Sequence, residues 1–102
     1  MPNSSLTLNK AFELIMQEMP VFQRKFNVKR LAIFGSLARG ELKENSDVDI
    51  LVEFNGPPRF RDYFELATRL EEKLNRRVDL VRKESLDPLV WASACKELRD
   101  VA

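Results

Sequence analysis

Asp47 and Asp49 stand two residues apart in Ser46-Asp47-Val48-Asp49-Ile50-Leu51-Val52, where alternating apolar residues predict a strand over Asp47–Phe54. A period of two places Val48, Ile50 and Val52 on one face. Asp47, Asp49, Leu51 and Glu53 share the other, with the two carboxylates about 6.6 Å apart. Aspartate is depleted in strands, and two such charges repel by about 2.5 kcal/mol at an effective dielectric near 20. A divalent cation between them reverses that sign. Asp79 has the same phase in a further predicted strand, Arg77–Val81. If the two strands pair, three carboxylates gather, an arrangement that suits two metal ions about 3.5–4 Å apart and in-line phosphoryl or nucleotidyl transfer. If they do not, Asp79 is a surface ion-pair partner of Arg76 or Arg77.

Separated from Asp47 by ten residues, the run Leu31-Ala32-Ile33-Phe34 stops at Gly35-Ser36. A buried strand over 29–34 that turns into a short helical segment, Ser36–Glu41, presents free backbone N–H groups, a setting that favours phosphate. Gly35 lets the backbone approach an anion with no Cβ in the way, and the Ser36 hydroxyl adds a donor. Arg39 either adds positive charge to the same pocket or forms a salt bridge to Glu41 or Glu44.

Composition narrows the chemistry further. The 102 residues contain no histidine and one cysteine, Cys95. Imidazole bases, His-containing triads, thiolate zinc sites and internal disulfides are thereby excluded. Carboxylates remain as metal ligands, and oxygen ligands favour Mg²⁺ or Mn²⁺. Seventeen basic and 16 acidic residues leave a net charge of +1, which argues against direct, nonspecific nucleic-acid binding. The N-terminal stretch lacks the pattern of a signal peptide and no apolar run is long enough for a bilayer, so a cytoplasmic location with no membrane contact is expected.

Around these residues the chain reads as one domain, 1–102, of helix, strand, helical turn, strand, helix, strand and helix. The fold expected is α/β (α+β), a small mixed sheet of three to four strands flanked by helices. Thr7 caps a first helix that Pro20 interrupts or kinks, with a second helical piece through Phe22 and Phe26. A long amphipathic helix carries Phe60, Phe64, Ala67, Leu70 and Leu74 on one stripe. Ser85 is expected to cap the last helix, with Pro88 in its first turn and Leu89, Val90, Ala94 and Leu98 facing inward. Cys95 reads as a small buried hydrophobe.

Gly-Ser, ten residues, Asp-x-Asp and a later Asp on another strand together resemble the nucleotidyltransferase superfamily with a DNA-polymerase-β-like palm. More closely, Phe34-Gly35-Ser36-Leu37-Ala38-Arg39-Gly40-Glu41 and Ser46–Val52 resemble its minimal, MntA-like members in prokaryotes. The resemblance implies that Gly35 and Ser36 bind the terminal phosphates of a nucleotide. Asp47 and Asp49 would hold both metals, and Asp79 would complete the catalytic-metal site and favour deprotonation of the attacking hydroxyl. It also implies a HEPN-domain toxin as partner, with AMP passed from ATP to a tyrosine of that toxin by an antitoxin. Two alternatives stay open: a nucleotide-binding antitoxin that occludes its partner without catalysis, and an enzyme acting on a small hydroxylated molecule. Larger members of the superfamily add an acceptor domain, and about twenty residues after Asp79 leave room for one helix; an acceptor supplied by a partner is therefore the expectation.

Overall fold

The computed structural model describes residues 6–101, so part of the N-terminal stretch discussed above lies outside the described residues. A helix α1 (Leu8–Phe26) leads into the antiparallel pair β1 (Val28–Phe34) and β2 (Val48–Phe54). Helix α2 (Phe60–Leu74) then carries the chain to β3 (Val78–Arg82), which lies parallel to β2. A 3₁₀ turn (Lys83–Ser85), a short helix α3 (Pro88–Ala94) and a two-residue strand β4 (Arg99–Asp100) complete the order. The four-stranded mixed sheet runs β3-β2-β1-β4. Among the described residues no helix is long and apolar enough to cross a membrane.

Helix α1 begins where the Thr7 hydroxyl accepts from the Lys10 N–H at 3.1 Å, and ends at Asn27 in the left-handed region. Pro20 does not divide it. The helix runs through the proline because Ala11, Ile15, Met19, Phe22 and Phe26 are all buried on one side, and packing outweighs the single backbone hydrogen bond that proline removes. On α2 Leu70 and Leu74 are buried as expected, but Leu66 joins them in place of Phe60 and Phe64. At 3.6 residues per turn, Leu66, Tyr63, Leu70 and Leu74 fall within roughly 80°, and Phe60 and Phe64 lie roughly 40° and 80° past that edge. Phe60 is accordingly 78% and Phe64 54% exposed.

The core is one cluster under the sheet. Val48, Ile50 and Val52 of β2, Leu31 and Ile33 of β1 and Leu80 of β3 meet the buried faces of α1 and α2. The alternation read from the sequence therefore holds: the Val48 face is packed by helices and the aspartate face is turned the other way. The N-terminus of α3 is corrected. Asp87, not Ser85, is the cap, accepting from the Leu89 N–H at 2.8 Å, because Pro88 takes the first helical position and fixes the cap one residue before itself. Leu89 and Val90 are exposed, Leu98 is half-buried and Ala94 alone of that set is buried. Cys95 is exposed at the end of α3, since Ala94 takes the buried position next to it. The segment Ser36–Glu41 forms hydrogen-bonded turns rather than a helix, with Arg39 N–H to Gly35 O at 3.1 Å and Glu41 N–H to Ser36 O at 2.8 Å.

The revised α2 stripe has a direct test. Leu70→Ala should lower unfolding free energy by about 2–5 kcal/mol, and Phe64→Ser should change it by no more than about 0.5 kcal/mol, both read from urea unfolding with an unchanged slope.

Candidate active site

Strand pairing assembles the acidic residues. In the antiparallel register Phe34 faces Asp49, and in the parallel register Asp49 faces Asp79. Asp49 thus sits centrally, with the Gly35 turn on one side and Asp79 on the other. Asp47 lies just before β2 in the same phase. The condition left open in the sequence is met: the strand carrying Asp79 pairs beside the strand carrying Asp49.

Gly35 has φ +74°, and a Cβ built on it would lie 2.2 Å from Asp49 Oδ2. Both facts require glycine, the first through backbone strain and the second through space. The turn it opens is pinned by Leu37, whose side chain is fully buried. A cleft of about 530 Å³ lies over this point. Gly35, Ser36, Arg39 and Asp49 line one side of it, and Leu89, Val90, Ser93 and Glu97 line the other. Asp47 and Asp79 lie outside the cleft wall.

Charges in the site are shared out among neighbours. Burial pushes the Asp49 carboxyl up from its usual range, and the charges of Asp79 and Asp47 add to the effect, with Arg39 opposing it. Asp47 is held by Arg77 at 3.2 Å, so the ion pair considered for Asp79 forms at Asp47 instead. Arg39 binds Glu41 at 2.9 Å and Glu97 at 2.6 Å, and both contacts push its guanidinium value up. Glu41 was anticipated as a partner; Glu97 was not. Nothing local in the sequence marks Glu97, 58 residues from Arg39. Arg76 is a second unforeseen contributor: its guanidinium donates to the Ser46 carbonyl at 3.0 Å and to the Lys43 carbonyl, which fixes the loop leading into Asp47. Tyr63 donates its hydroxyl to the carbonyl of Leu80, next to Asp79. Its own value is raised by burial and then by the charge of Asp79.

Among the described residues no group of three or more acidic, histidine or cysteine side chains is close enough together to hold a metal ion as it stands. The donors nevertheless fit a hard divalent cation. All are carboxylate oxygens, Asp49 carries the repulsion of two neighbours, and the missing Cβ at Gly35 makes room for its Oδ2 against the turn.

The raised Asp49 value sets a pH-dependent cost. Folding is favoured more with the carboxyl protonated; that stability is full below the ordinary value of 3.8 and is lost as pH rises through the higher folded-state value. Metal-free Asp49→Asn should therefore melt above the unsubstituted protein near neutral pH. The gap should close as pH falls towards 3.8, measured by thermal unfolding across a pH series.

Comparison with known proteins gives the chain's family. The family model described as a nucleotidyltransferase domain matches residues 16–101. The protein adenylyltransferase MntA of Thermococcus cleftensis is 39% identical over 93 residues, covering 91% of this chain and 94% of that one. A solved structure described provisionally as a minimal nucleotidyltransferase superposes with a TM-score of 0.80 at 31% identity, over 95% of this chain and 98% of its own. The fold also recurs, at 22% identity and a TM-score of 0.58, in a complex of MNT antitoxin with tri-AMPylated HEPN toxin from Shewanella oneidensis, over 92% of this chain and 67% of that one. With its Gly-Ser turn beside strand-paired aspartates, the chain belongs to the nucleotidyltransferase family as one of its minimal, MntA-like members.

Proposed function

We propose that this chain transfers AMP from ATP to a hydroxyl of a HEPN-domain partner, a tyrosine being the acceptor, and that it acts thereby as an antitoxin. The observation that carries the proposal is the register Asp49↔Asp79 beside a Gly35 whose lack of a Cβ lets Asp49 Oδ2 approach the turn. Similarity to the Thermococcus protein adenylyltransferase supports the reaction, and the fold shared with the Shewanella complex supports the class of partner.

Each residue has a task under this reading. Gly35 backbone and the Ser36 hydroxyl hold the terminal phosphates, and Arg39 exchanges Glu41 for phosphate oxygen while keeping Glu97. Asp47 and Asp49 would hold two Mg²⁺ (or Mn²⁺) ions, with Asp79 completing the second site. Such ions, when bound, neutralise charge on the triphosphate and stabilise the in-line transition state. The acceptor hydroxyl oxygen forms a bond to the α-phosphorus as the bond to pyrophosphate breaks, and Asp79 accepts the hydroxyl proton. The arginines fit the resting state: Arg77 offsets the Asp47 charge at 3.2 Å, and a cation would take over that role. An alternative, in which the chain neutralises its partner by occlusion alone, draws support from the exposed Phe60–Phe64 pair, stacked edge to face at 4.6 Å, which offers an apolar surface to another protein.

Incubation with ATP, Mg²⁺ and the cognate HEPN protein should add AMP-sized increments to that protein's intact mass. Asp79→Asn should slow the addition at least about a hundredfold while ATP binding is kept. Absence of added mass in a demonstrably formed complex would refute transfer. Neutralisation that survives intact in Asp47→Asn with Asp49→Asn would establish occlusion in its place.

A further inference from the structure

We infer that the face of α3 turned towards Asp49 seats the base of the nucleotide, with Leu89 and Val90 as its contact surface, and that bases are selected there by area rather than by hydrogen bonds. This rests on the reading of the cleft as a nucleotide site and adds to it which part of the donor meets which wall.

The cleft is polarised. At one end Gly35, Ser36, Arg39 and Asp49 offer a backbone turn, a hydroxyl and charges, and nothing there suits an aromatic ring. The facing wall is α3, where Leu89 is 82% and Val90 50% exposed. Two neighbouring large aliphatic side chains left in water on a seven-residue helix lose the burial that would ordinarily stabilise them. A nucleoside triphosphate has the matching polarity, with a charged tail and a flat ring whose faces are apolar. With the tail at Gly35-Ser36, a volume of about 530 Å³ leaves the ring against α3, within the usual size of small-molecule sites.

The wall also lacks the means to read a base edge. Its polar groups are the Ser93 hydroxyl and the Glu97 carboxylate, and Glu97 is occupied by Arg39 at 2.6 Å. Among the described residues no polar or charged side chain is buried. Sites that discriminate strongly do so by leaving a buried polar partner unpaired when the wrong ligand enters, whereas apolar contact separates similar shapes weakly. ATP and GTP should therefore bind alike.

The experiment is calorimetric titration of the full chain, unsubstituted and Leu89→Ser, with the Mg²⁺ complexes of ATP, GTP and inorganic tripolyphosphate. Because Leu89 is exposed, the substitution removes no core contact, and an unchanged thermal melt verifies that. ATP and GTP should bind the unsubstituted chain within about tenfold of each other. Leu89→Ser should weaken both by about tenfold, the loss expected from uncovering part of one ring face, and leave tripolyphosphate unchanged. Retained tripolyphosphate binding with ATP affinity indifferent to Leu89→Ser overturns the base seat and spares the phosphate site. So does an equal loss for ATP and tripolyphosphate, or a preference between ATP and GTP beyond tenfold. If the unsubstituted chain binds neither ATP nor tripolyphosphate, the nucleotide reading fails and the base seat with it.

Discussion

The carboxylate of Asp49 occupies the space that a side chain on residue 35 would need, 2.2 Å from where a Cβ would stand. That approach is possible because β1 and β2 are antiparallel with Phe34 opposite Asp49, so the first residue past the end of β1 lies beside the first residues of β2. The rest of the site follows from it. The turn can leave the sheet at once because glycine accepts φ +74°, and Leu37 anchors its far side in the core. The Gly-Ser turn and the carboxylates are brought together by two adjacent strands and one missing methyl group.

Electrostatics in the resting protein amount to a set of replaceable partners. Asp47 is matched by Arg77, Arg39 by Glu41 and Glu97, and Asp49 is relieved by a raised proton affinity. These pairs are largely solvent-exposed, and exposed ion pairs stabilise little. Breaking them would therefore cost the fold little. The firm contacts lie one layer out. Arg76 ties down the backbone of the loop before Asp47, and Glu71 accepts from the Val78 N–H at 3.0 Å at the start of β3, so both aspartate-bearing strands begin from fixed points.

What could be read from the sequence was whatever short-range pattern dictates. The alternation Val48-Asp49-Ile50 implied the strand, its faces and the shared phase of Asp47 and Asp49; Phe34-Gly35-Ser36 implied the turn. Asp79 matched in phase, but pairing is a long-range fact, and the register Asp49↔Asp79 emerged only in the fold. Periodicity also misled where it was ambiguous. On α2 two overlapping stripes satisfy helical spacing, and the bulkier one, with Phe60 and Phe64, is the outer one. Pro20 carries a local signal for an interruption or a kink, and tertiary packing overrides the interruption. Glu97, Leu89 and Val90 reach the cleft only because of where α3 is carried, and β4 is too short to leave a pattern at all.

That short strand has a consequence for how the site comes into being. Arg99 and Asp100 pair with Ile33 and Ala32, the Val101 N–H reaches the Leu31 carbonyl at 2.9 Å, and Asp100 receives Arg30, 70 residues away. Since β3 and β4 are the two opposite edges of the sheet, the segment between them must cross from one edge to the other over the acidic face. Contacts between residues so far apart in the chain are slow to form. The second side of the cleft therefore depends on a two-residue strand at the far edge of the sheet, which holds the end of the crossing segment.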